Sequence, residues 1–128
     1  MSTPKRVKVI GDRFHGRVPD DAVYVGRAAP GLPASRFHNP YQAPKAAQKA
    51  GQPPRRNTVD GETVEVRDRP HAVELFRGYL RRHPDLVEAA RQELAGRDLC
   101  CWCPLPAPGE PDICHAALLI TVAAGAEP

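Results

Sequence analysis

The sequence predicts one small α/β domain, built on a partly parallel, Rossmann-like sheet with flanking helices and a peripheral β-hairpin insertion. The chain has 128 residues, the usual size of a single domain. Strand patterns occur before and after two helical patterns. The last strand pattern includes Leu99–Trp102, which is apolar throughout, as is typical of a central strand covered on both faces. We therefore expect residues 1–128 to form one domain, with residues 42–68 as a loop and hairpin inserted into it.

The strands are marked by their residue patterns and by the turn residues that bound them. Arg6–Ile10 alternates charged and apolar side chains, and Ala22–Val25 is a second short strand that ends at a glycine. Within Thr58–Val66 the pair Asp60-Gly61 is a strong signal for a two-stranded hairpin. Asp98–Trp102 supplies the buried strand.

Three helices are predicted from apolar residues at helical spacing. The first, His71–His83, has Pro70 near its start, where proline is favoured. The second runs from Pro84-Asp85 through Ala95 and is followed by Gly96, a common residue after a helix end. The third covers Ile113–Ala124. The resulting order is β-β-hairpin-α-α-β-α, and the ligands of such sheets bind beyond the carboxyl ends of the strands.

Charge and composition favour an ordinary charged surface over a dedicated nucleic-acid binder. The chain has 18 lysines and arginines against 15 aspartates and glutamates, a formal net charge of +3, and nucleic-acid-binding domains usually have a stronger basic excess. No stretch approaches the ~18 apolar residues that span a membrane, and the polar Met1–Arg6 does not resemble a signal peptide. We expect a cytoplasmic protein without membrane contact, whose 4 cysteines stay reduced.

The segment that carries the chemistry is Cys100-Cys101-Trp102-Cys103, followed at the start of the last helix by Cys114-His115. Because side chains alternate along a strand, Cys101 and Cys103 share one face and Cys100 lies on the other. If the intervening loop folds back, the strand end and the helix start meet and form a Cys/Cys/Cys/His cluster. Clustered cysteines in a reducing compartment indicate a metal site or catalysis before a disulfide.

In one interpretation of this cluster, Cys103, Cys114 and His115 are catalytic. The dipole of a helix N-terminus favours a thiolate, and Cys114 is placed to benefit, while His115 would carry protons or contact an anion. The free N–H groups of the same helix start would hold a phosphate, with Arg27 or Arg36 adding positive charge.

A second interpretation is a zinc site formed by Cys101, Cys103, Cys114 and His115. Two features count against it: Cys-x-Cys is a less usual spacing than Cys-x2-Cys, and two adjacent ligands require an awkward turn. His38 or His15 would supply a missing ligand. A third interpretation treats Cys100 and Cys101 as small apolar residues of a core strand.

A second group of candidate residues lies around the long loop before the hairpin. The ligand-binding candidates are Gly26, Arg27, Ser35, Arg36, His38, Asn39 and Tyr41. Polar side chains together with the rings of Phe37 and Tyr41 suit a nucleobase or a sugar, but a loop that anchors its aromatic residues in the core has the same pattern. The basic run from Lys45 to Arg56 is either a solvated loop or a segment that follows a phosphate backbone.

These motifs resemble a bacterial and phage family known only as a domain of unknown function, number 4326. The resemblance rests on Tyr24-Val25-Gly26-Arg27, on Ser35 with Asn39-Pro40-Tyr41, and on Cys101-Trp102-Cys103 with Cys114-His115. It spans nearly the whole chain, although the loop from Pro104 to Ile113 and the segment from Gln42 to Asp68 look longer than in the family. The resemblance implies that the two motif-bearing loops form one site, and it implies no particular activity.

Two functions of different classes follow from these observations. The leading hypothesis is an enzyme or ligand binder of nucleotide or nucleic-acid metabolism, in which Arg27 and Arg36 bind a small anionic ligand, such as a nucleotide, and Ser35 and Asn39 orient it beside the cysteines. The alternative is a zinc-stapled module that binds nucleic acid or serves as an adaptor. A small interaction protein with inert, buried cysteines is a third possibility.

Overall fold

The structure, a computed structural model, describes residues 4–11, 15–44, 53–103 and 105–128. Within these residues the chain forms five strands and three helices: β1 Arg6–Lys8, β2 Ala22–Tyr24, β3 Arg55–Val59, β4 Glu62–Val66, α1 Arg69–Arg82, α2 Pro84–Glu93, β5 Asp98–Cys101 and α3 His115–Ala123. This is the order that the sequence predicts. Much of the predicted basic run, including Lys45, lies outside the described residues, as does Pro104.

The strand β5 is the centre of a three-stranded parallel sheet with the order β1-β5-β2. Two hydrogen bonds prolong the pairing beyond the strand ends, from Val9 N to Cys101 O (3.1 Å) and from Val25 N to Cys100 O (2.9 Å). Leu99, Cys100 and Cys101 are all buried, as expected for a strand covered on both faces. The predicted α/β class, with a parallel sheet and a buried last strand, is confirmed.

The strands β3 and β4 form a separate antiparallel hairpin. Its turn residues Asp60 and Gly61 have φ angles of 53° and 80°, the left-handed conformation that a two-residue hairpin turn requires. Asn57 fastens the hairpin to the preceding loop, because its amide accepts from Gln42 N and donates to Gln42 O, both at 3.0 Å. Val66 is fully buried in a small apolar cluster shared with α1. The predicted hairpin is present and begins at residue 55 instead of 58.

The helices begin and end at the residues with capping chemistry. α1 starts two residues before the predicted position because the Asp68 carboxylate accepts a hydrogen bond from His71 N (2.9 Å) and Pro70 occupies the first turn. α2 starts at Pro84 as predicted, and Gly96 beyond its end has a φ of 75°. α3 starts two residues later than predicted, with its N-cap in extended conformation.

The helix α3 lies at the centre of the main core. It packs against β5, β1, α1 and α2, and its Leu119 and Val122 are fully buried with Phe76 and Leu80 of α1. Burial of each such side chain stabilises the fold by about 1.5–3 kcal/mol. This packing holds the start of α3 at the carboxyl end of β5. None of the helices in the described residues combines the length and apolar content that a membrane-spanning segment needs.

Candidate metal centre and adjoining cavity

Three thiols converge where β5 ends and α3 begins. Cys101 is the last residue of β5, Cys103 follows two residues later, and Cys114 is the N-cap of α3. Their Sγ atoms all lie within 4.8 Å of one another, and those of Cys101 and Cys114 are 3.1 Å apart. We call these three residues the thiol cluster. The strand parity that places Cys101 and Cys103 on one face, together with the returning α3, brings the three side chains together.

Cys100 lies apart from the thiol cluster. It is fully buried, and burial raises the pKa of its thiol to about 11. The thiol therefore stays protonated at neutral pH and packs as a small apolar side chain. This is the core role that the sequence offered for Cys100 as the simplest interpretation.

The protonation of the thiol cluster is shared among its members. Hydrogen bonds from the Cys101 and Cys114 thiols, assisted by the positive charge of Arg69, hold the pKa of Cys103 well below its usual range. The same hydrogen bonds raise the pKa values of the other two thiols. For Cys101 the main cause is its bond to Cys103, and for Cys114 the main causes are its bonds to Cys101 and Cys103. The first proton therefore leaves the cluster easily, and the next two are held.

A buried arginine balances the negative charge that the cluster acquires. Arg6, in β1, is 8% exposed. Its Nη1 donates to Cys103 O (2.8 Å) and to Cys101 Sγ (3.5 Å), and its Nε donates to Asp112 Oδ2 (2.5 Å). Burial opposes the charge of this guanidinium, but the bond to Asp112 and the nearby Cys114 and Cys101 raise its pKa above the usual value. Arg6 is thus a fixed cation that joins β5 to the loop before α3.

Neither member of this ion pair is indicated by the sequence. In the alternating strand pattern Arg6 belongs to the charged, outward set, and Asp112 lies in a proline-rich loop without periodicity. The bond between them spans 106 positions of the chain. No local signal indicates such a contact, because only the parallel pairing of β1 with β5 brings Arg6 beside the cysteines.

His115 is a buried ring that ties α3 to the end of β2. Its Nε2 lies 2.6 Å from Val25 O, and its ring meets Phe76 edge to face at 5.6 Å. Burial lowers the pKa of His115, so the ring is neutral at pH 7 and Nε2 donates its proton to the carbonyl. The remaining nitrogen, Nδ1, is 3.9 Å from Cys114 Sγ. His115 thus lies against the cluster, and no histidine of the described residues joins the group of three thiols.

A small cavity of about 80 Å³ adjoins the thiol cluster. It is lined by Arg27, Asn39, Tyr41, Ala43, Arg69, Ala72, Val73, Cys103, Ile113, Cys114 and His115. A second recess of about 110 Å³ shares Arg27, Cys103 and His115 with the first and adds Gly26. Cys103 is the partly exposed member of the cluster and the one that lines both spaces.

The ligand-binding candidates from the loop divide into two groups. Gly26, Arg27, Asn39 and Tyr41 line one or both of these spaces. The other candidates, Ser35, Arg36 and His38, line neither. Ser35 Oγ accepts from Phe37 N (3.1 Å), His38 Nδ1 contacts Ser35 O (2.6 Å), and Arg36 forms a surface ion pair with Glu93.

The aromatic residues of this loop serve the core. Phe37 is 4% exposed and Tyr41 is 3% exposed. Asn39 holds the turn between them, because its amide donates to Ala72 O (3.1 Å) and accepts from Tyr41 N (2.9 Å). The polar atoms of Asn39 are therefore used in hydrogen bonds within the chain, and both aromatic rings are packed in the core. These residues supply no charge to the cavity.

Two arginines supply that charge. Arg27 Nη2 donates to Tyr41 O (2.6 Å), and Arg69 Nη2 donates to Ile113 O (2.8 Å). Partial burial lowers the pKa of Arg27, and the neighbouring charge of Arg55 lowers it further. Arg69, at the start of α1, was not among the residues singled out from sequence. Its only local signal is its place beside Pro70, which marks a helix start and says nothing about the cavity.

Residues 12–125 match the family described as Domain of unknown function (DUF4326), and the chain belongs to this family. The resemblance stated from the motifs alone is thereby confirmed. No curated protein and no solved structure matches the chain.

Proposed function

We propose that this protein binds one thiophilic metal ion of the zinc type through the thiol cluster, with one coordination position left open toward the adjoining cavity. The observation that carries the proposal is the convergence of three Sγ atoms, from β5, the turn after it and the N-cap of α3, within 4.8 Å. Zinc–sulfur bonds of about 2.3 Å in a tetrahedron place the sulfurs roughly 3.8 Å apart, which this spacing accommodates.

The charges around the cluster support the same proposal. Three thiolates and a divalent ion carry one net negative charge, and Arg6 places a buried positive charge beside them. Three thiols crowded together without a metal are costly to ionise, as the raised pKa values of Cys101 and Cys114 indicate. A metal ion removes that cost, since the thiolate is the form that binds it.

An open fourth position distinguishes this site from a purely structural one. Structural zinc sites are closed by four protein ligands, whereas catalytic sites keep a position for water or substrate. A metal ion bound here would polarise an oxygen atom in the cavity. Cys103 and Arg27 line the space where that oxygen would lie, and His115 holds α3 in place beside it. We therefore favour a metal-dependent ligand binder or enzyme over a zinc-stapled adaptor.

The first test is metal stoichiometry in the purified full chain, measured by elemental analysis and by the thiolate-to-metal charge-transfer absorption of the cobalt-substituted protein. We expect one metal ion per chain in the wild type and in Cys100→Ser, the matched control. We expect loss of the metal in Cys101→Ser and in Cys114→Ser. Serine is a favoured N-cap residue, so Cys114→Ser keeps the start of α3 intact.

A second candidate function, a reactive thiol, is favoured by one observation. Cys103 has the lowered pKa of the three cysteines and lines both spaces. In that case the nucleophile is Cys103, and not the buried Cys114. The same preparations decide between the two proposals. A metal-free protein in which one thiol alkylates rapidly, and in which Cys103→Ser abolishes that reaction, would replace the metal centre by a thiol-dependent enzyme.

The size of the cavity limits which ligand can bind beside the thiol cluster. A cavity of about 80 Å³ admits a group of a few heavy atoms, far less than the roughly 300–1,000 Å³ clefts that enclose whole small molecules. A nucleotide would therefore place only one of its groups inside and leave the rest outside.

A further inference from the structure

We infer that the cavity is a phosphate-binding site, in which Arg27 and Arg69 hold the phosphate group and one of its oxygens occupies the open metal position. The metal contact rests on the proposed function, whereas the arginine contacts do not. The site is built from four separate parts of the chain: the loop after β2, the start of α1, the turn after β5 and the start of α3.

The lining of the cavity selects an anion. Among its eleven lining residues, Arg27 and Arg69 are the charged side chains of fixed sign, and none is an aspartate or glutamate. Each arginine uses one Nη2 donor on a backbone carbonyl, Tyr41 O or Ile113 O. Those bonds fix the position of each guanidinium and leave its other N–H groups for a ligand. A guanidinium so placed suits the oxygens of a phosphate, which it can bind with two parallel hydrogen bonds.

Both arginines interact with the thiolate of Cys103, and Arg27 also lies near the like charge of Arg55. For Arg27 the attraction to Cys103 outweighs the repulsion from Arg55, and the charge of Arg69 stabilises the same thiolate. With three thiolates and one divalent ion the cluster carries one net negative charge, which is one less than the two positive charges of Arg27 and Arg69. A phosphate in the cavity would offset this excess of positive charge and contact both arginines and the metal.

The start of α3 adds to the same potential. Cys114 is an extended N-cap without a side-chain hydrogen bond to the helix, and it lines the cavity with His115. The first N–H groups of a helix carry partial positive charge. The helix end alone would not define a site. Combined with two arginines and a cavity of this size, it favours a dianionic phosphate over a carboxylate.

The test uses the full-length protein loaded with zinc and isothermal titration with inorganic phosphate and with adenosine monophosphate. We expect binding of phosphate, and we expect Arg27→Met and Arg69→Met each to weaken it about ten- to hundred-fold, the range for a hydrogen bond to a charged group. Arg97→Met, which changes an exposed arginine away from the cavity, is the matched control and should bind like the wild type. Arg27→Lys keeps the charge and should fall between wild type and Arg27→Met, which separates loss of charge from misfolding.

The outcomes separate the inference from the proposed function. Tighter binding of adenosine monophosphate than of phosphate would identify the phosphate of a nucleotide as the ligand, and equal binding would identify the free ion; either supports the inference. A protein with one zinc per chain and no phosphate binding, or with binding insensitive to both arginine variants, overturns the inference and leaves the metal centre standing. In the cobalt-substituted protein, visible bands that stay unchanged when bound phosphate saturates the site would overturn the proposed metal contact alone.

Discussion

Replacing Arg6 with methionine removes the buried cation beside the thiol cluster and keeps an unbranched apolar side chain. Arg6 makes two short hydrogen bonds, to Asp112 Oδ2 (2.5 Å) and to Cys103 O (2.8 Å). Hydrogen bonds that involve a charged group each contribute about 1.5–3 kcal/mol to stability. The Asp112 side chain is 22% exposed and can regain some water, so we take the lower end for each bond. The free energy of unfolding should fall by about 3 kcal/mol.

The assays are urea denaturation for the free energy of unfolding and thermal melting for the Tm, both followed by circular dichroism in a chelator so that metal loss does not contribute. For a domain of this size about 1 kcal/mol corresponds to a shift of roughly 4 °C in Tm, so the Tm of Arg6→Met should fall by about 12 °C. Arg36→Met is the matched control. Arg36 pairs with Glu93 at the surface, where both side chains are at least half exposed, and exposed pairs contribute less than about 1 kcal/mol.

A double-mutant cycle tests the pair itself. Asp112 Oδ1 is buried without a hydrogen-bond partner in the described part of the chain, so this carboxylate depends on Arg6 for compensation. Arg6→Met, Asp112→Asn and the double variant should show a coupling energy of about 1.5 kcal/mol or more. Single effects that add to within about 0.5 kcal/mol would refute the reasoning, as would an Arg6→Met variant no less stable than Arg36→Met.

Three further predictions concern the metal, its pH dependence and the backbone. Removal of the metal by a strong chelator should lower the Tm of the wild type and of Cys100→Ser in thermal melts, because free metal at 1,000 times its Kd stabilises a folded protein by about 4 kcal/mol; an unchanged Tm would contradict the metal centre. At neutral pH Cys103 is ionised and Cys101 and Cys114 are protonated, so metal binding displaces two protons. The metal affinity should therefore rise about a hundred-fold per pH unit. Competition titrations between about pH 6.5 and 7.5 in which the affinity does not change with pH would contradict this. Gly61→Ala should destabilise the chain, because Gly61 lies in a turn with a φ of 80°. Gly78→Ala should stabilise the chain by up to about 1 kcal/mol, because Gly78 lies in α1 and an added Cβ would have its nearest neighbour atom 3.5 Å away. Equal denaturation midpoints for the two variants would refute both expectations.

The order of elements was predictable because each has a local cause. The apolar run of β5, the Asp60-Gly61 turn and the prolines at the starts of α1 and α2 all act within a few residues. Two of the boundaries that differ, the starts of β3 and α3, depend on contacts with other elements. β3 begins at Arg55 because its exposed first residues pair with β4, and an exposed pair leaves no apolar pattern. α3 begins later than predicted because Ile113 O accepts from Arg69 before the helix starts.

The thiols and Arg27 were predicted from the sequence, whereas Arg6 and Arg69 were not. Strand parity and a helix start bring Cys101, Cys103 and Cys114 together, and both are visible in the sequence. The arginines that surround them come from β1, the loop after β2 and α1, and a basic side chain at a strand or helix end is ordinarily a surface residue. Arg36 illustrates the same ambiguity, because it has the expected loop position and yet pairs with Glu93. Only tertiary structure decides which arginine faces the site.

The thiol cluster has a buried side and an open side, and in the proposed metal centre the buried side would fix the metal while the open side would admit a ligand. Cys101 and Cys114 are 2% exposed and belong to the main core, so their position is fixed by the packing that stabilises the whole fold. Cys103 lies after the strand end, partly exposed, next to Arg27 and the cavity. A ligand that enters from this side would meet the most exposed thiol of the cluster and a positive charge without disturbing the core. In the proposed metal centre this geometry would permit exchange at one coordination position while two of the three protein ligands stay fixed, which a site closed by four protein ligands would prevent.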